Sequence, residues 1–170
     1  MKTICAWCHK VLIEDEVPEA AVSHGIYPDC LNGLVGGSEI SLADFLNTIE
    51  FPVLVTDESV AVRQANEANE RVLGKPVRRL EGSRIGVAIE CYHAGAKGEC
   101  GGDAFCAGCV LRRTINETDA DGKPRYGVYS DHEVATADGK RARRFRFSTT
   151  KAGNAVLLAI EGIQDLPIAS

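Results

Sequence analysis

RYGVYSDHEVATADGKRARRFRFSTTKAGNAVLLAIEGI, residues 125–163, contains three runs rich in β-branched and aromatic residues, divided by two sets of turn residues. Ala137-Asp138-Gly139 and Lys151-Ala152-Gly153-Asn154 are short connections of the kind that join antiparallel strands. The reading is three consecutive antiparallel strands over 125–136, 140–150 and 155–163. In the middle run Phe145 and Phe147 alternate with Arg144 and Arg146, so rings and guanidiniums point to opposite sides. The arginines at 141, 143, 144 and 146 are most simply the solvated face of a sheet, with a partner-binding face as the alternative.

Upstream, Ser41 followed by Asp44 is a helix N-cap pattern, and Leu42, Phe45, Leu46 and Ile49 share one helical face. This predicts a helix over 42–50. FPVLVTD at 51–57 reads as a short buried strand closing in an Asp-Glu-Ser turn, and residues 60–64 return as its hairpin partner. Asn66 is placed to cap a helix over 68–73, which Gly74 ends. Residues 109–117 have helical spacing at Val110, Leu111, Thr114 and Ile115. The element order gives an α+β fold, one antiparallel sheet with helices on one face.

The strongest chemical signal is CYHAGAKGECGGDAFCAGC, residues 91–109, which holds four of the seven cysteines. Cys106 and Cys109 form a C-x2-C pair, and Cys91 and Cys100 can fold back to complete a four-thiolate metal site. Zinc and an iron–sulfur cluster both accept such a shell, and spacing leaves the choice open. Buried reduced cysteines or disulfides are the bland alternative. Cys106 and Cys109 fall at or before a helix N-terminus, a position expected to lower thiol pKa values. Arg112 and Arg113, one turn on, either offset the charge of the site or are solvated. His93 reads as a hydrogen-bonder to a ligand, or as a haem ligand. No nucleophile–base pair or phosphate loop is evident, so no enzymatic activity is expected.

A second set lies at the N-terminus, where Cys5 and Cys8 form another C-x2-C knuckle and His24 and Cys30 complete a Cys3His zinc set. The region has few large apolar residues, so a metal is its natural staple. Cys5 to His9 also spells C-x-x-C-H, the c-type haem attachment pattern, set aside because no export signal accompanies it. The glycine-rich NGLVGGSE at 32–39 marks a boundary, giving a module over 1–33, a linker over 34–40, a main domain over 41–163 and a tail over 164–170.

A net charge of −5 and a pI near 5.4 disfavour nucleic acid as a partner. No run approaches the ~18 apolar residues of a membrane span, and the opening MKTICAWCHK is short for a signal peptide. A cytoplasmic protein with reduced thiols is expected, with no membrane partner.

ICAWCHK followed by the acidic EDE and by SHGIYPDCL at 23–31 resembles a short cysteine module of bacterial signalling proteins, in which a second C-x2-C completes a zinc-knuckle-like site. Tyr27 stands where that module has the first cysteine of the second knuckle, so either His24 takes over as the fourth ligand or the site has lost its metal and persists as a packed remnant. Over 41–163 the chain resembles the PAS domain, through FPVLVTD, RQANEANERVLGK at 63–75 and AVLLAIEGI at 155–163. It is similar more closely to a cysteine-rich bacterial subset, with Cys91, Cys100, Cys106 and Cys109 at the matching positions and Gly102 a looser correspondence. The resemblance implies a five-stranded antiparallel sheet and a ligand or cofactor pocket between sheet and helices. It also implies a sensory role, relayed to a separate output protein (kinase, cyclase or regulator) or through a homodimer. The amphipathic helix over 42–50 is the expected dimer contact. A small iron–sulfur electron-transfer protein is the competing reading.

Overall fold

The computed structural model describes residues 2–5, 8–14, 22–27, 29–30, 41–95, 100–102 and 104–167. The three strands expected at the C-terminal end form as β6 (Arg125–Thr136), β7 (Gly139–Ala152) and β8 (Ala155–Asp165). Gly139 and Gly153 take positive φ values of 117° and 58° at the two turns, which is why glycine stands there. β4 (Val53–Thr56) and β5 (Val62–Ala65) pair antiparallel, and the sheet order is β5-β4-β8-β7-β6. The chain thus has the expected α+β, PAS-like architecture of a five-stranded antiparallel sheet with helices.

β8 is the central strand, and Val156, Leu157, Leu158, Ala159 and Ile160 are all buried, so both faces of the sheet are covered there. The alternation of β-structure divides them. Leu54, Val156, Leu158 and Ile160 join Val62, Ile85, Leu111, Ile115, Phe145 and Phe147 in the larger, inner core. Val53, Val55, Leu157 and Ala159 turn to the outer core, with Ile26, Phe45, Leu46 and Ile49. The inner face carries α2 (Ala68–Leu73), α3 (Val77–Leu80), α4 (Ile85–Ala88), α5 (Tyr92–Gly95), a 3-10 turn (Ala104–Gly108) and the long α6 (Val110–Asp121).

The outer face takes α1 (Leu42–Asn47), capped as expected by Ser41, whose hydroxyl accepts from the Asp44 amide at 3.1 Å. Six residues are too few for a free-standing helix. Burying Phe45 and Leu46 against the sheet, worth about 1.5–3 kcal/mol for each side chain, holds it in place. Of the apolar stripe expected to mediate a dimer, Phe45, Leu46 and Ile49 are therefore packed within the chain, and Leu42 stays exposed.

Asn66 differs from its expected role. The residue before α2 is Glu67, which makes no side-chain cap bond, and Asn66 is wholly buried. Its Nδ2 donates to the carbonyls of Leu46, Ile49 and Phe51, and its Oδ1 accepts from the Val53 amide. One amide side chain thus ties α1 to the start of β4, while Gly74 at φ 67° ends α2 as expected.

The N-terminal residues form a second sheet. β1 (Lys2–Cys5) runs antiparallel to β2 (Val11–Glu14) and parallel to β3 (Val22–Gly25). A Cβ on Gly25 would meet the Tyr126 ring, and Ile26 is buried in the outer core, so this module lies on the outer face. The linker expected over 34–40 lies outside the described residues.

The arginines of β7 fall on both sides of the strand and are ion-paired. Arg143 reaches Asp165 at 2.7 Å, Arg144 reaches Asp131 at 2.7 Å, and Arg141 lies 3.5 Å from Asp138. Arg146 is mostly buried against Glu161 at 3.0 Å, which corrects the expectation of one solvated basic face.

Candidate metal centres

The pocket expected between sheet and helices is a cavity of about 640 Å³, and Cys91, Cys100, Cys106 and Cys109 all line it. Its roof is α4, α5, the 3-10 turn and the start of α6, and its floor is the stretch of β6 from Tyr129 to Glu133 with Arg144. Each thiol is placed by a local backbone feature. Cys91 follows Glu90, whose φ of 60° turns the chain, and it forms an isolated bridge to Val134 of β6. Its amide donates to Gly86 O at 2.8 Å. Cys100 is buried, and its carbonyl accepts from Arg84 Nη1 at 3.0 Å. Gly86 makes room for it, since a Cβ there would stand 2.7 Å from the Cys100 sulfur. Cys106 lies in the 3-10 turn, and the Cys109 amide closes back to its carbonyl at 3.3 Å, directly before α6.

All four thiols are free. Burial pushes the Cys100 thiol up, opposed by a backbone hydrogen bond from Gly86 and reinforced by the neighbouring Cys106 and Cys91. Cys109 is raised by burial as well, with the backbone of Arg112 pulling the other way and Cys100 and Cys91 adding to the rise. At Cys109 the helix N-terminus is therefore present but outweighed, correcting the expectation of a lowered pKa for that thiol.

Of the two arginines, Arg113 is 61 % exposed and faces Glu117 at 3.9 Å. Arg112 lines the cavity, with its guanidinium over Gly101. His93 also lines the cavity, stacked on Phe105 at 4.4 Å between ring centroids and 3.6 Å from a Glu133 carboxylate oxygen. His132 is a cavity residue that the sequence reading missed. Burial pushes its pKa down to about 4, with Asp131 opposing and His93 adding to the fall, and its Nε2 lies 2.8 Å from Ser130 Oγ. Its signal was the period-two alternation of Ser130, His132 and Val134, which puts all three on the inner side of β6.

The N-terminal set is tighter. Among the described residues, Cys5, Cys8 and Cys30 are the only group of three or more potential ligands whose ligand atoms all lie within 4.8 Å of one another. Cys5 and Cys8 are held by a turn in which the Cys5 amide donates to Lys10 O at 2.8 Å and the His9 amide to Cys5 O at 3.0 Å. His9 takes a φ of 58° to close it. The Tyr27 amide donates to the Cys5 sulfur at 3.2 Å, and the Tyr27 ring lies under Lys10 Nζ at 4.3 Å. A backbone hydrogen bond from Lys10 lowers the exposed Cys8 thiol, while burial and the Cys8 and Cys5 thiols push Cys30 up to about 12. His24 sits in β3 opposite Ile4, and its side chain lies outside the described residues.

No helix among the described residues is long and apolar enough to cross a membrane. No protein-family model matches the chain, and no curated protein matches it. Solved structures similar to it include a PAS domain of a Desulfitobacterium hafniense protein, at 24 % identity and a TM-score of 0.40, covering 72 % of this chain and 99 % of that one. The PAS domain of nitrogen regulation protein NR(II) from Vibrio parahaemolyticus matches at 16 % identity and a TM-score of 0.43, covering 75 % and 100 %. The PAS domain of a LuxR-family transcriptional regulator from Burkholderia thailandensis, in complex with ethanol, matches at 12 % identity and a TM-score of 0.44, covering 75 % and 98 %.

Proposed function

We propose that the chain is a PAS-type sensory module in which Cys91, Cys100, Cys106 and Cys109 hold an iron–sulfur centre and Cys5, Cys8 and Cys30 hold zinc. The observation that carries this reading is that four thiols from one nineteen-residue segment face one cavity of about 640 Å³. Four sulfurs around a single zinc at about 2.3 Å stand roughly 3.8 Å apart. The Cys5, Cys8 and Cys30 sulfurs, all within 4.8 Å, fit a single ion, whereas the cavity cysteines form no such group. For the cavity set we take the iron–sulfur centre as the reading to be tested against zinc, since both accept four thiolates.

A bound iron–sulfur centre would supply an oxidant-sensitive, negatively charged group. The chain's own residues turn its presence into a conformational signal. Cys91 and Cys109 bracket the segment, and α6 begins at the next residue, Val110. α6 is seated on the inner core by Leu111 and Ile115, and Thr118 Oγ1 lies 2.7 Å from Thr149 Oγ1 of β7. Loss of the four anchors frees residues 91–109 and alters how α6 starts. The output is then read by a separate signalling protein (kinase, cyclase or regulator) or by a second copy of the chain, on a surface that does not include the buried Phe45 and Leu46 of α1.

The test is metal and acid-labile sulfide content with a visible spectrum, on protein purified without oxygen. Iron and sulfide, lost in air together with a change in oligomeric state or partner affinity, is the expected result. A colourless protein carrying only zinc makes the cavity cysteines a structural clip, and a metal-free protein refutes the reading. A reversible couple with an unchanged fold and unchanged association would identify an electron carrier instead.

A further inference from the structure

Arg112 and Arg113 are neighbours in sequence and carry the same charge, yet the structure gives them different surroundings. Arg113 stands in solvent. Arg112 turns back from the first turn of α6 onto the loop that carries Cys100. Gly101 has a φ of 102°, and a Cβ built on it would stand 3.0 Å from the Arg112 Cζ and 3.4 Å from its Nη2. The guanidinium therefore lies against the backbone of the residue next to Cys100. It is partly buried and lines the cavity, and among the described residues no carboxylate pairs with it. Arg144, which also lines the cavity, is matched by Asp131, the solvent-exposed Arg113 faces Glu117, and Arg84 donates to the Cys100 carbonyl at 3.0 Å. A half-buried cation with no carboxylate paired to it among the described residues is costly beside four thiols unless negative charge gathers in front of it.

We propose that Arg112 is the counter-charge of the cavity: its guanidinium, seated on Gly101, stabilises the negative charge of the four-thiolate centre and sets how readily that centre accepts an electron. This rests on the iron–sulfur reading above. Reduction adds one negative charge to the centre while Arg112 stays a cation. The guanidinium therefore favours the reduced form, and its removal moves the reduction potential downward. Coulomb's law at an effective dielectric of about 20–40 makes one charge several ångströms away worth roughly a tenfold change in the equilibrium constant. For a one-electron couple that is a shift of about 59 mV.

The experiment compares wild type, Arg112→Gln, Arg112→Lys and Arg113→Gln, each carrying the centre as purified or rebuilt with iron and sulfide without oxygen. Midpoint potentials are measured by optical redox titration at low and high salt. The expected result is a downward shift in Arg112→Gln that shrinks as salt rises, with Arg112→Lys near wild type and Arg113→Gln unchanged. A purely structural role would lower iron content or thermal stability without moving the potential of the centres that remain. Full iron content with an unshifted potential in Arg112→Gln overturns this inference and leaves the iron–sulfur reading standing. So does a potential in Arg112→Lys as low as in Arg112→Gln. A wild-type chain that holds no iron and sulfide overturns both.

Discussion

Replacing Asn66 tests the junction between the two cores most directly. The residue is wholly buried, and its amide serves α1, the α1–β4 connection and β4 together. Nδ2 donates to Leu46 O at 3.1 Å, Ile49 O at 3.0 Å and Phe51 O at 2.8 Å. Oδ1 accepts from the Val53 amide at 2.9 Å and from Asn69 Nδ2 at 2.8 Å. In Asn66→Ala the Leu46 carbonyl keeps the Ile49 amide, whereas Ile49 O, Phe51 O and the Val53 amide lose their bonds to this side chain. A stranded buried polar group costs about 1–3 kcal/mol, and water entering the vacated space recovers part of it, so the expected loss is about 3–5 kcal/mol. Against a typical domain stability of about 5–15 kcal/mol, this is a large fraction.

Asn66→Asp provides the sharper control, because it keeps the acceptor for Val53 while setting carboxylate oxygens against three carbonyls. It should destabilise the protein more than alanine does. Urea unfolding followed by far-ultraviolet circular dichroism, at constant zinc concentration, measures both variants. A loss below about 1 kcal/mol for alanine, or an aspartate variant more stable than the alanine one, would refute the assignment of this side chain as the tie between α1 and β4.

Cys30, Cys100 and Cys109 all have raised thiol pKa values, so metal must displace protons from them. Metal affinity should rise with pH, with proton release seen by calorimetry in two buffers, and a pH-independent affinity contradicts this. His132 is held neutral, its pKa pushed down to about 4 by burial, so the unfolded chain binds a proton between about pH 6.5 and 4 that the folded chain does not. The associated stability, on the order of 3 kcal/mol, is complete above pH 6.5 and is lost as the pH falls through that window. His132→Gln should flatten the slope of urea midpoint against pH in that range. Gly86→Ala drives a methyl into the Cys100 sulfur, at 2.7 Å, and the Ala94 Cβ, at 3.1 Å. It should cost about 1–3 kcal/mol and reduce iron content, as read by urea unfolding and metal analysis. Cys8→Ser should remove one zinc equivalent without changing the visible spectrum, since the knuckle lies on the opposite face of the sheet from the cavity.

The sheet was legible because its signals are local. Turn residues at 137–139 and 151–154, alternation in β7 and the Ser41 cap each act over a few residues and were found where the spacing put them. The four cavity cysteines were legible as a set for the same reason, being close in sequence. What the sequence hid depends on long-range packing. Asn66 carries a common capping residue type just before a helix, and only the return of α1 and β4 to its side chain makes it a buried tie. The stripe on α1 reads in sequence as a dimer face, and only the outer surface of β4 and β8 shows that Phe45, Leu46 and Ile49 pack within the chain while Leu42 stays exposed. Local helix-terminus reasoning put the Cys109 pKa low. The neighbours that raise it lie eighteen and nine residues away, at Cys91 and Cys100, and the burial is imposed by the whole cavity wall.

Arg112 and Arg113 make the same point most plainly. Sequence offers two equivalent cations one turn beyond a cysteine pair and gives no way to rank them. The distinction comes from Gly101, eleven residues upstream of Arg112, which lacks a side chain at the spot where the guanidinium lies. A glycine at positive φ reads in sequence as a turn former. Its second effect, leaving room for a cation beside four thiols, exists only once both segments meet over the same cavity.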